Sequence, residues 1–124
     1  MTDREMLKFA AKAAGYTGFR DASDVWSYRI DQTGAYWNPL TDDGDALRLA
    51  VKLRFTIKDF APTDHPEMVQ APPDAALWGM VEIWRENDND PLHVEWYKAG
   101  ADRYAATRLA VVRAAAAIGK EMPQ

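Results

Sequence analysis

The chain has 124 residues, 48% hydrophobic and 27% charged, with a formal net charge of −4 and no cysteine. That length suits one domain able to bury about two-thirds of its unfolded surface. Without thiols it has no disulfides and no thiolate metal sites, and its negative charge excludes bulk electrostatic attraction to nucleic acid.

No apolar run approaches the roughly 20 residues of a membrane span. Met1-Thr2-Asp3-Arg4-Glu5 lacks the basic-then-apolar order of a signal peptide. The expectation is a soluble, non-secreted protein. Charge is unevenly spread: Asp59 to Asp90 holds eight acids against Arg85 alone, whereas Asp102 to Lys120 holds one acid and four bases. Such runs ordinarily mark solvated faces.

The first helix is predicted over Asp3 to Ala14. Thr2 and Glu5 form a capping box, and Leu7, Ala10, Ala11 and Ala14 recur at helical spacing beside Met6, Phe9 and Ala13. Gly15 accepts the left-handed backbone of a helix stop. Between Tyr16 and Tyr36, Val25, Trp26, Tyr28 and Ile30 favour extended structure, and Asp31-Gln32-Thr33-Gly34 is a turn signal. A short hairpin and an ordered aromatic loop are both compatible with this stretch.

The densest local signal is the block Trp37, Asn38, Pro39, Leu40, Thr41, Asp42, Asp43, Gly44 and Asp45. Asn38 precedes a proline and is pushed out of the helical region. Thr41 or Asp42 caps a second helix, and the remaining aspartates favour its positive end. Ala46, Leu49, Ala50 and Leu53 form its expected buried stripe, with Leu47 alongside. Arg48 and Lys52 lie on the wet side, and Asp45 is three residues from Arg48.

Three strands follow. Phe55-Thr56-Ile57-Lys58 alternates, Leu77 to Arg85 is the strongest strand pattern, and His93 to Tyr97 alternates again after the turn Asn87-Asp88-Asn89-Asp90. The intervening connection carries Pro62, Pro66, Pro72 and Pro73, which suits a loop or edge. Trp78, Met80, Glu82 and Trp84 share one face of the central strand, and Leu77, Gly79, Val81, Ile83 and Arg85 the other. Both faces are largely apolar, so each should meet helices or a second subunit. Asp102 caps a last helix running to about Ile118 and stopping at Gly119. The expectation is a single α+β domain over residues 1–124, in the order α-(irregular)-α-β-β-β-α. Its antiparallel sheet has three strands, or four with one from the irregular region, and helices pack on its faces.

The Trp37-to-Ala50 block, with the ending Asp102-Arg103-Tyr104-Ala105-Ala106-Thr107-Arg108 and Val111 to Gly119, resembles the phage ABA-sandwich domain family of small bacteriophage and prophage proteins. The resemblance implies an α/β/α sandwich working in the cytoplasm of the bacterial host. It implies no catalytic residues and no cofactor.

Candidate chemistry is sparse. Asp42, Asp43 and Asp45 are hard-cation ligands by type, but their spacing suits helix capping better. His65 and His93 are the only histidines, and Ser23 and Ser27 the only serines, with no nucleophile elbow, HExxH motif, phosphate loop or dinucleotide-binding glycine pattern. Glu82, on an apolar face, is a candidate perturbed acid. It could instead pair with Arg108 or Arg113 or reach solvent at a sheet edge. Trp78, Trp84, Trp96 and Tyr97 are either core or a base-stacking platform.

The last helix is small-residued on the side of Ala106, Ala110, Ala114 and Ala117, which suits close helix approach in a symmetric dimer. The leading expectation is an oligomeric accessory protein, favouring a dimer, that binds an unidentified phage or host protein. The alternative is a nucleic-acid-binding module. The α-β-β-β-α order is also that of a double-stranded RNA-binding domain, with Arg103, Arg108, Arg113 and Lys120 as phosphate contacts. The lysine cluster that opens the last helix of such domains is missing here.

Overall fold

A computed structural model describes residues 1–21, 28–31, 36–61 and 78–123 of the chain. The Pro-rich connection with His65, the serines Ser23 and Ser27, Val25, Trp26, the turn residues Gln32 to Gly34, and Leu77 lie outside the described residues.

Helix α1 spans Asp3–Ala13, with Thr2 accepting from the Glu5 amide at 3.1 Å. It ends in a Schellman motif: Gly15 N–H donates to Lys12 and Tyr16 N–H to Ala11, with Gly15 at φ 76°. A two-stranded ribbon follows, β1 (Arg20–Asp21) antiparallel to β2 (Tyr28–Arg29), extended by a bridge from Arg29 to Tyr36. The hairpin reading of this region therefore holds for the residues described.

The block from Trp37 to Asp45 is a packed knot. Trp37 is buried and meets Tyr16 and Phe19 edge-on at 5.8 and 6.3 Å. The Asn38 carbonyl accepts from Thr41 and Asp42, its side chain accepts from Leu40, and its own amide donates to buried Asp45 at 3.0 Å. Asp42 is the cap of α2 (Asp43–Lys52), accepting from the Asp45 amide at 2.8 Å. Asp45 also takes Arg48 at 2.7 Å. The helix ends in a second Schellman motif in which Arg54, not glycine, holds φ 57°.

Strands β3 (Thr56–Phe60), β4 (Trp78–Trp84) and β5 (His93–Lys98) form an antiparallel meander with β4 in the centre. Helix α3 spans Arg103–Glu121, and Asp102 caps it by accepting from Tyr104 and Ala105. The chain is thus an α+β fold in the order α-α-β-β-β-α with a three-stranded antiparallel sheet. Ribbon β1–β2 stays a separate two-stranded sheet rather than a fourth strand.

Three points correct or complete the sequence reading. First, Gly119 does not stop α3. It sits two residues inside the helix because a Cβ there would collide with the carbonyl of Phe9, so glycine is required by packing rather than by conformation. Second, the sheet face that each helix covers, open in the sequence, is the same for all three among the described residues. Val81, Ile83 and Tyr97 share one core with α1, α2 and α3, with α3 against β4 and β5 and α1 running along α3 in the most extensive contact between elements. Third, Ala110 and Ala114 are buried within the single chain, so the small-residue side of α3 is closed to a dimer partner there; Ala106 is half-buried and only Ala117 is exposed. The physical logic of small residues holds, but their partners lie within the chain.

Candidate functional site

Leu47 was expected beside the buried stripe of α2, yet it is 61% exposed. It forms part of the wall of a groove of about 540 Å³ between α2, β3 and α3. Helix α2 contributes Asp43, Ala46 and Leu47; alternation on β3 turns Ile57 and Asp59 to the same side; and the start of α3 contributes Arg103, Tyr104, Thr107, Arg108 and Val111. Exposed apolar side chains concentrate here. Leu47, Val51 (68%), Ile57 (37%) and Tyr104 (72%) account for most of the large exposed hydrophobic side chains among the described residues, and Val51 lies one helical turn beyond Leu47.

Paired charges edge the groove. Asp59 takes Arg103 through Nε at 3.1 Å and Nη2 at 2.5 Å, and accepts from the Tyr97 hydroxyl at 2.9 Å. The Tyr97 ring reaches Asp59 across β4 because Gly79 lies opposite it, where a Cβ would collide with the ring. Burial pushes the Tyr97 hydroxyl above its ordinary pKa, the hydrogen bond to Asp59 pushes the same way, and Arg103 opposes both. On the other wall Arg108 donates to the Leu40 carbonyl at 2.9 Å and to Asp43 at 2.7 Å.

The four residues considered as phosphate contacts do not form one face. At roughly 100° per residue, Arg103, Arg108 and Arg113 point in three directions, each to an acid on a different element. Arg103 meets Asp59 of β3, Arg108 meets Asp43 of α2, and Arg113 grips both oxygens of Glu95 of β5 at 2.8 Å. Lys120 is exposed near the helix end. The acid partners lie 44, 65 and 18 residues away in the chain, so no local signal announces them.

The other candidates resolve individually. Asp42 caps α2 and lies 3.8 Å from Arg48, Asp43 holds Arg108, and Asp45 accepts from Asn38 and Arg48. Among the described residues no group of three or more His, Asp or Glu side chains is placed to hold a metal. His93 is half-buried and pairs with Glu95 at 2.9 Å. Glu82 is buried on the central strand, not at an edge, and neither Arg108 nor Arg113 reaches it. It accepts from the Trp84 indole at 3.2 Å, and Lys58 opposite lies 4.5 Å from the centre of the Trp84 ring. The aromatic set is split between faces: Tyr97 joins the helix-side core, while Trp78 and Trp84 lie on the other side under Lys98 and Lys58.

No family model, curated protein or solved structure matches the chain. Among the described residues no helix is long and apolar enough to cross a membrane.

Proposed function

We propose that this chain is a small bacteriophage accessory protein that acts by binding protein in the cytoplasm of the bacterial host, as a homo-oligomer and without catalysis. The groove between α2, β3 and α3 is its working surface. The observation that carries the reading is the gathering of Leu47, Ile57 and Tyr104 around one concave site, with exposed Val51 one helical turn beyond Leu47. An apolar centre inside a rim of satisfied polar groups is the anatomy of a protein interface. Here the rim pairs, Arg103 with Asp59 and Arg108 with Asp43, are neutralised within the chain. The phage assignment rests on the likeness of the Trp37-to-Ala50 and Asp102-to-Gly119 blocks to the sandwich family. The same neutralisation argues against the nucleic-acid reading, since a phosphate would have to displace an acid from each arginine.

The test is a photo-crosslinking amino acid placed at position 47 or 104 in cells that make the protein. Covalent protein adducts are expected from both positions and not from position 120 at the far end of α3. Equal adducts at all three positions, or none at 47 and 104, would sink the proposal.

A further inference from the structure

We infer that a second copy of this chain fills the groove, its β3 strand pairing antiparallel with the first across a two-fold axis at Ile57, so that two three-stranded sheets join into one of six strands. The inference rests on the binding role of the groove and names its occupant.

Among the described residues strand β3 is an edge of the sheet, and Thr56 to Asp59 are all exposed. Edge strands of monomeric proteins are guarded by outward charges, prolines or bulges. This strand contains no proline and pairs with β4 one-to-one through five positions, without a bulge. Its two charges are drawn onto its own chain: Lys58 lies over the Trp84 ring, and Asp59 holds Tyr97 and Arg103. Among the described residues no strand other than β4 pairs with it, and its outer side lies beside the exposed apolar residues of the groove.

Charge and symmetry then select a register. An antiparallel edge-to-edge pair related by a two-fold axis has that axis normal to the sheet, so each residue faces one on the same side of its own sheet, and the axis passes beside one residue. Like charges directly opposite destabilise a pair. An axis at Thr56 opposes Arg54 and Lys58; one at Lys58 opposes two lysines; one at Asp59 opposes two aspartates; and one at Phe60 pairs no residue of the strand but Phe60 itself. An axis at Ile57 opposes no like charges. It sets Ile57 against Ile57 of the second copy on the groove side, Thr56 against Lys58 on the other, and brings the apolar residues Leu47, Val51 and Tyr104 of both copies to the junction.

The chain has no cysteine, so single cysteines report the register cleanly. Directly opposed residues of an antiparallel pair have Cα atoms about 4.5–5.5 Å apart, within disulfide reach. Light scattering on the unmodified protein at high micromolar concentration should give twice the 14.0 kDa of one chain. Under mild oxidation Ile57→Cys should form a covalent dimer. Thr56→Cys and Lys58→Cys should each stay single alone and cross-link to each other when mixed. A monomer by scattering overturns the inference, as does self-linking of Lys58→Cys in preference to Ile57→Cys. The adducts at positions 47 and 104 separate the two levels: adducts only to other proteins would leave the groove a binding site and overturn the self-pairing, whereas no adducts at all would overturn both.

Discussion

In its last turns α3 is anchored by shape, and in its first turns by charge. Near the C-terminal end, Gly119 lets the Phe9 main chain of α1 come close, and Ala114, Ala115 and Ala116 are all fully buried. Near the N-terminal end, Arg103 and Arg108 tie the helix to β3 and α2 across a groove that none of the described residues fills. Close packing is unforgiving of added volume and indifferent to salt, whereas tethers over a groove tolerate substitution and feel both pH and salt. A binding surface belongs at the second kind of end, where side chains can rearrange without the core coming apart.

The contrast can be broken most severely at Gly119. Gly119→Val should cost about 3 kcal/mol, since the clash is with backbone and α1 must move away. A denaturation midpoint within error of the parent would show that α1 is not seated there. Arg108→Ala removes a largely buried guanidinium and leaves the Leu40 carbonyl without its donor. A loss of about 1.5 kcal/mol is expected by urea unfolding.

The Tyr97 hydroxyl sharpens the comparison through pH. Its folded-state pKa is raised, so its stabilisation is fully present below the unfolded value of about 10 and is lost as pH climbs through the folded value. Thermal midpoints should fall on that alkaline limb, and Tyr97→Phe should flatten it. An unchanged slope would remove the hydroxyl as the cause. The smallest effect is expected from Arg103→Ala, a slight drop in the urea midpoint, because the guanidinium is mostly exposed, and it should vanish at molar salt. A larger, salt-independent loss would place Arg103 with the shape-held end instead.

Local features were legible in sequence because their physics is local. Thr2, Asp42 and Asp102 cap α1, α2 and α3 within three residues of the amides that donate to them, and alternation alone places β3, β4 and β5 in a meander. What escaped depended on distance. Gly119 carries the signature of a helix stop, and only Phe9, at the other end of the chain, turns it into a packing glycine. Leu47 sits at a helical position that suits a buried stripe, but exposure there is decided by where β3 and α3 lie. The arginines of α3 suggest an open basic side until Asp59, Asp43 and Glu95 arrive from three other elements. The groove could not be read for the same reason: each lining residue is ordinary, and the concavity belongs to the assembly.

The docking of α1 on α3, with Lys12 reaching the Met122 carbonyl at 2.9 Å, also sets a timetable. During synthesis the first helix leaves the ribosome with Leu7, Ala10 and Ala11 bare, and the surface that covers them is translated more than a hundred residues later. The ribbon and sheet can zip from neighbouring segments, but this closure waits for α3 and joins distant parts of the chain, the kind of contact whose loop-closure entropy slows folding. Until then α1 is the part of the nascent chain most in need of a chaperone.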